Sequence, residues 1–148
     1  MSDLAHRKPP PRRVFRNINP LTDLRTYRLP PAGIVSILHR ISGFLMFLLL
    51  PFIVWMFDTS LSSEISFDRF KAVFEAGVGF MPGWFFKLVA LALIWASLHH
   101  FISGLRHLWM DVSHAAVTKS FGHNSALFTL VTSVLLAVAL GAKLFGLY

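Results

Sequence analysis

The sequence predicts an all-α membrane protein with three transmembrane helices. Hydrophobic residues make up 55% of the 148 positions and charged residues 14%, a balance outside the usual range of soluble domains. Three apolar blocks, at about 34–57, 84–111 and 125–147, each reach the roughly 20 residues that a hydrocarbon core requires. Little material remains for an aqueous domain. We therefore divide the chain into an N-terminal basic arm, residues 1–33, and a three-helix membrane anchor, residues 34–148.

The distribution of charge predicts the orientation in the membrane. Eight of the fourteen Lys and Arg residues precede residue 41, whereas the loop at 58–83 carries four acidic residues and two basic ones. By the positive-inside rule, the N-terminus is cytoplasmic and the C-terminus lies outside. A basic arm is also typical of nucleic-acid binding. Topology and attraction to anionic lipid account for the charge, so we expect the lipid bilayer as a partner and no nucleic acid.

Local signals define the elements in order. Six of the eight prolines lie in the arm, which is therefore expected to be irregular. Pro51 lies inside the first apolar block and has no N–H to offer the carbonyl of Phe47, so we predict a kink there. The loop segment Phe67–Gly77 has the pattern of a short surface helix with phenylalanines along one side. The third block has few polar interruptions and is expected to pack against other helices.

The most informative stretch is Leu98–Asp111, which contains three histidines at the end of the second block. On a helix His100, Gly104, His107 and Asp111 fall at spacings of four, three and four, so they share one face. Ionisable groups within a span are costly and usually functional, and Gly104 lets a flat, bulky group approach the backbone. A haem with His100 as an axial ligand fits this face. A histidine hydrogen-bonded to a neighbouring helix fits as well, and the spacing alone does not decide between them.

The chain offers no convincing second ligand for such a haem. It has no cysteine, which excludes iron–sulfur clusters and covalent haem attachment, so a redox group would be bound non-covalently. A six-coordinate haem needs a second axial His or Met. His99 projects about 100° away from His100 and is interpreted as a helix contact. His39 is expected too near the membrane rim, and Met46 on the first helix is a weaker candidate. We therefore predict that a partner subunit supplies the second ligand.

The last turns of the second helix are expected at the cytoplasmic rim. Arg106 and His107 would pair there with haem propionates or lipid headgroups. Asp111 is expected to pair with one of these two residues and to end the helix.

The first turns of the first helix carry a second polar group on the same side of the membrane. Ser36, His39 and Arg40 point into one sector. They can act as an interfacial anchor. Alternatively, His39 and Arg40 balance haem propionates, while Ser36 and Arg40 offer hydrogen bonds to a quinone carbonyl.

These two polar stretches resemble a known family. Residues 36–42, SILHRIS, are similar to the SxxHRxS/T motif, and residues 100–111, HFISGLRHLWMD, to the HxxxGxRHxxxD motif, of succinate dehydrogenase cytochrome b556 subunits. The resemblance implies that His100 is an axial ligand of haem b and that Ser36 and Arg40 contribute to a ubiquinone pocket. It implies that His39 and Arg40 lie near the propionates. It also implies three partners, namely a second small anchor subunit that supplies the other haem ligand, an iron–sulfur subunit and a flavoprotein subunit.

The function implied by the resemblance is electron transfer from succinate oxidation to ubiquinone. Quinone would be reduced by two electrons and two protons near the cytoplasmic rim, and succinate itself would not contact this chain. The expected location is the cytoplasmic (inner) membrane of a bacterium, in preference to a mitochondrial one. Two alternatives stay open, a fumarate-reductase-type anchor that runs in the reverse direction and a structural membrane anchor without cofactor.

Overall fold

The fold is all-helical. The computed structural model describes Asn19, Thr22, Asp23 and residues 27–148, so most of the predicted arm lies outside the described residues and its irregular conformation stays a prediction. The described helices are α1 Pro31–Leu48, α2 Leu50–Leu61, α3 Glu64–Glu75, α4 Gly83–Val112 and α5 Lys119–Leu144. Of these, α1, α4 and α5 are long and apolar enough to cross a membrane. The predicted fold class with three spans is thereby confirmed.

The first predicted span is divided in two. Leu49, with φ −91° and ψ 8°, separates α1 from α2, and Pro51 lies in the first turn of α2, where a missing N–H has no cost. The predicted kink is therefore confirmed as a break between two helices. The helix also starts at Pro31 rather than near residue 34, because the fixed φ of proline suits the first helical position. Residues 31–33, which the sequence assigned to the arm, belong to α1.

The short surface helix is present with shifted ends. It begins at Glu64 because Ser63 forms a capping box, in which the Ser63 hydroxyl accepts from the N–H of Ser66 at 3.1 Å and the Ser66 hydroxyl accepts from the N–H of Ser63 at 2.9 Å. It ends before Gly77, whose φ of +92° does not continue a helix. The ring centroid of Phe70 lies 6.2 Å from that of Trp55 on α2. The phenylalanine side of α3 therefore packs partly against protein.

Of the other two spans, α4 agrees closely with the prediction and α5 differs from it at both ends. Helix α4 matches the expected 84–111 to within one residue at each end. Helix α5 begins six residues earlier than expected, because Thr118 caps it by accepting a hydrogen bond from the N–H of Phe121 at 3.3 Å. Hydropathy alone assigns the polar first turns of α5 to a loop. The helix ends at Leu144, three residues before the predicted end.

Helix α4 is the centre of the packing. It lies between α1 and α5, which also contact each other, and α3 packs on α2 and α4. The buried side chains that the structure describes are mostly small or polar, as in helices that associate within a membrane. They are Val35, Ser42, Leu93, Ala96, His99, Ser103, Arg106, Ala116, Ala126, Thr129, Ser133 and Ala137. Many large apolar side chains point outward, as expected of a surface that faces lipid.

Gly83 allows α4 to begin directly under the last turn of α3. A Cβ at this position would lie 2.5 Å from the carbonyl oxygen of Phe74 and 2.7 Å from that of Glu75. Because these are backbone atoms, we expect Gly83→Ala to lower the free energy of unfolding by about 2 kcal/mol, measured by denaturant titration in detergent. Gly122→Ala is the matched control, since nothing lies within 4 Å of its added methyl group, and it should be neutral or stabilising. Equal destabilisation by both variants would contradict this account.

Candidate functional site

Three histidine rings meet where α1 packs on α4. The ring centroids of His39 and His100 are 4.1 Å apart and stacked, and those of His39 and His107 are 5.2 Å apart. The structure thus brings together three of the predicted site residues, and we call them the histidine cluster. The expectation that His39 lies too near the rim to reach the level of His100 is wrong, because the close packing of the two helices puts both rings in contact.

The ring of His100 is held by its Nδ1 atom. Nδ1 lies 3.1 Å from the carbonyl oxygen of His39 and 3.3 Å from the hydroxyl of Ser42, which itself donates to the same carbonyl at 2.8 Å. With that carbonyl as acceptor, Nδ1 carries the proton and Nε2 keeps a lone pair. No hydrogen bond to Nε2 exists among the residues that the structure describes. A histidine fixed in this way has the tautomer of a metal ligand that binds through Nε2.

Gly43 is a site residue that the sequence analysis missed. A Cβ built on it would lie 2.9 Å from Cε1 and 3.3 Å from Nδ1 of His100. The imidazole therefore packs directly on the α1 backbone, where no other residue type would leave room without a shift. A signal was available, since Gly43 follows His39 by four residues and small residues mark close helix contacts in membranes.

A second glycine leaves space on the other side of the cluster. A Cβ on Gly104 would have one neighbour, Nε2 of His39, at 3.9 Å, which is ordinary van der Waals distance. That Nε2 is also the only buried side-chain nitrogen or oxygen without a hydrogen-bond partner among the described residues. A buried imidazole nitrogen without a partner costs free energy. The cluster therefore has an unsatisfied polar atom beside an uncrowded stretch of α4.

The remaining rim residues are less connected than the sequence predicted. Ser36 is half-buried and Arg40 is exposed, and neither forms a hydrogen bond or ion pair within the described part of the chain. Asp111 is exposed one residue before the end of α4. Its expected pairing with Arg106 or His107 is wrong, since Lys71 and Asp68 form the one salt bridge between described residues.

Arg106 does not belong to the histidine cluster. Its guanidinium donates from Nε to the hydroxyl of Ser125 at 2.8 Å and from Nη2 to the carbonyl of Gly122 at 3.2 Å, and the residue is only 9% exposed. It follows His99 by seven residues and Ser103 by three, so it lies on the face of α4 that contacts α5. The expectation that it joins His107 at a common rim site is therefore not met.

Two other candidates have contacts within the helix bundle. His99 is fully buried and hydrogen-bonds Ser133 of α5, which confirms its interpretation as a helix contact. The thioether of Met46 accepts a hydrogen bond from the hydroxyl of Ser97 at 3.5 Å, almost one turn away from His100 along α4. The sulfur of Met46 is thus engaged away from the histidine cluster.

Comparison with known proteins agrees with this architecture. Residues 16–140 match the succinate dehydrogenase/fumarate reductase transmembrane subunit family. The chain belongs to this family. It is 31% identical over 126 residues to the succinate dehydrogenase cytochrome b556 subunit of Paracoccus denitrificans, an alignment that covers 84% of this chain and 91% of the relative. It is 36% identical over 90 residues to the protein of the same name from Coxiella burnetii, covering 61% of this chain and 67% of that one.

As a transmembrane subunit of this family, the chain is a multi-pass membrane protein. Its histidine cluster is separate from a groove that is lined mostly by apolar residues. That groove, of about 700 Å³, lies between α2, α3, α4 and α5 and is lined mostly by apolar side chains, with Lys71, Glu75 and Lys87 among them. It contains none of the residues that the two sequence motifs provide. The histidine cluster between α1 and α4 is therefore the candidate functional site.

The Arg106 contact is expected to stabilise the α4–α5 pair. Removing the hydroxyl that accepts from its buried guanidinium, by Ser125→Ala, should lower the free energy of unfolding by about 2 kcal/mol, because hydrogen bonds to charged groups are strong when buried. Ser120→Ala is the control, since Ser120 is exposed on the first turn of α5 and should change stability by less than about 0.5 kcal/mol. A denaturant titration in which both variants match the unchanged protein would rule this role out.

Proposed function

We propose that this subunit binds haem b through His100 and contributes to a site that reduces ubiquinone with electrons from succinate oxidation. The observation that carries the proposal is the state of His100. Its Nδ1 is held by the His39 carbonyl at 3.1 Å, while Nε2 has no partner among the described residues. That arrangement fixes the ring and directs its lone pair away from the backbone, as in histidines that bind metals.

The surrounding residues fit a haem in two further respects. The unpartnered Nε2 of His39 can donate to an anionic oxygen, so His39, with His107 and the exposed Arg40, would hold the propionates. The absence of a side chain at Gly104 would let a flat macrocycle approach the backbone of α4. Arg106 is left out of this group, because its guanidinium is hydrogen-bonded to α5. When bound, the haem supplies a one-electron redox centre beside the quinone site.

A second ligand to the haem iron would come from a partner subunit. Two stacked imidazoles with centroids 4.1 Å apart cannot face each other across an iron, so His39 is not the ligand opposite His100. Of the other described histidines, His99 and His107 lie on the same helix as His100, and His114 and His123 are exposed near the loop between α4 and α5. A second small membrane subunit is therefore part of the proposal, together with the iron–sulfur and flavoprotein subunits that deliver electrons from succinate.

Ser36 and Arg40 bind the quinone. They lie one turn apart on α1, and both are free of partners in the described part of the chain. The Ser36 hydroxyl donates to one quinone carbonyl. The Arg40 guanidinium favours the negative charge that develops on the oxygen as electrons arrive.

The relatives and the charge pattern support a direction of the reaction and a location in the cell. Both compared relatives are bacterial and are named as succinate dehydrogenase subunits, which favours succinate oxidation over the reverse reaction. We place the chain in a bacterial cytoplasmic membrane with its basic N-terminus, and the histidine cluster, on the cytoplasmic side.

Replacing His100 tests the haem assignment. His100→Ala should abolish the b-type α band in the reduced-minus-oxidised spectrum of the purified complex, because the iron loses an axial ligand. His114→Ala is the matched control, since His114 is exposed in the loop after α4, and it should retain the band. An unchanged spectrum in His100→Ala would overturn the assignment and favour a structural anchor without cofactor.

Replacing Arg40 tests the quinone assignment. Arg40→Leu should lower succinate:quinone reductase activity by about a hundredfold, as expected for the loss of an electrostatic group aimed at developing charge. Succinate oxidation with an artificial dye, which bypasses the quinone site, should persist. Arg69→Leu removes an exposed arginine of α3 as a control. Equal loss of both activities in Arg40→Leu would indicate an assembly defect and contradict the proposal.

A further inference from the structure

His99 is a buried polar side chain that the proposed electron transfer does not use. It is fully buried between helices, with Nδ1 3.2 Å from the hydroxyl of Ser133 on α5 and Nε2 3.3 Å from the hydroxyl of Ser103 on α4. Both serines are also fully buried. A polar group in an apolar bundle is stable only when its hydrogen bonds are made. These contacts therefore constrain where His99 can lie.

One tautomer satisfies both serine contacts. The hydroxyl of Ser133 donates to the carbonyl of Leu130 at 3.2 Å, so it accepts from the Nδ1–H of His99. The Nε2 atom of the neutral ring then accepts from the hydroxyl of Ser103. Rotation of the ring, or of the helix that carries it, would leave buried polar groups without hydrogen bonds, which is unfavourable.

A third contact restrains the plane of the ring. The indole of Trp95, one turn earlier on α4, stacks against His99 with centroids 5.4 Å apart and planes at 24°. The imidazole is thus held by partners on both neighbouring turns of α4 and by α5. Ser133 on α5 and the backbone of Val35 on α1 are the contacts that join His99 to other helices, and Ser133 is the one made by a side chain.

The orientation of His99 is coupled to that of His100 because the two are adjacent. Their side chains project about 100° apart, so turning α4 about its axis moves both. A turn of about 15° would displace a ring roughly 5 Å from the axis by about 1 Å. The close fit of His100 on Gly43, where a Cβ would already lie 2.9 Å from the ring, does not tolerate such a shift.

We propose that His99 is a positioning residue, which through Ser133 holds α4 at the rotation that presents His100 to the haem. This inference rests on the proposed haem binding and adds a specific role for the α4–α5 contact to it. The haem ligand is then oriented from two sides. The His39 carbonyl holds its ring, and the neighbouring network holds its helix.

The decisive comparison uses two buried hydroxyls of α5. Ser133→Ala removes the partner of His99. Thr129→Val, one turn away, removes a fully buried hydroxyl that bonds only its own helix, at the carbonyl of Ser125, 2.9 Å away. In the intact complex, Ser133→Ala should shift the haem midpoint potential and the low-spin ferric signal in electron paramagnetic resonance. Thr129→Val should leave both unchanged, whatever it does to the melting temperature.

Two substitutions of His99 provide a rescue test. His99→Leu should shift the same two readouts at least as far as Ser133→Ala. His99→Asn, whose amide can donate to Ser133, should return them toward those of the unchanged complex.

If Ser133→Ala and His99→Leu lower the melting temperature but keep the original potential and signal, the role is purely structural and the inference fails. A colourless unsubstituted complex would instead contradict the haem proposal itself, so the two failures are distinguishable.

Discussion

The contact between the His100 ring and the backbone of α1 is the constraint on which the site depends. It requires the absence of a side chain at Gly43 and the acceptance of the Nδ1 proton by the carbonyl of His39, 3.1 Å away. Both conditions restrict a histidine within an apolar span. Without them, its imidazole could rotate and form other hydrogen bonds. With one nitrogen committed to the backbone, the other is left available to a ligand. The packing of α1 on α4 therefore also determines the geometry of the candidate site.

The two faces of α4 differ in how their polar groups are hydrogen-bonded. The face toward α1 carries the histidine cluster, in which the buried Nε2 of His39 and the Nε2 of His100 have no hydrogen-bond partner among the described residues. The face toward α5 carries His99 and Arg106, whose hydrogen bonds are made to serines and a backbone carbonyl of α5. Buried polar groups with complete networks fix a structure, whereas buried groups that lack a partner indicate where another molecule binds. From this contrast we propose that the polar residues facing α1 are functional and that those facing α5 are structural.

The fold class and the face of α4 that carries His100 and His107 could be predicted from the sequence. Hydropathy and residue spacing are properties of a single helix and need no knowledge of its neighbours. It was insufficient wherever two helices had to be aligned. The level of His39 relative to His100 depends on the axial offset between α1 and α4. The residue spacing within one helix does not indicate that offset. Arg106 was expected at the rim with His107, although its spacing of seven residues from His99 indicated the face that contacts α5. The early start of α5 was missed because a cap at Thr118, rather than apolar residues, begins that helix.

The central claim is that Nε2 of His100 coordinates iron while Nδ1 stays on the α1 backbone. An electron cryo-microscopy map of the complex purified with its partner subunits tests it most directly. The account predicts a porphyrin beside Gly104, with density from its iron to Nε2 of His100 and to a side chain of another polypeptide, and with the His39 carbonyl still bonded to Nδ1. A map in which Nε2 of His100 contacts no metal, or in which both axial ligands come from other chains, would contradict it.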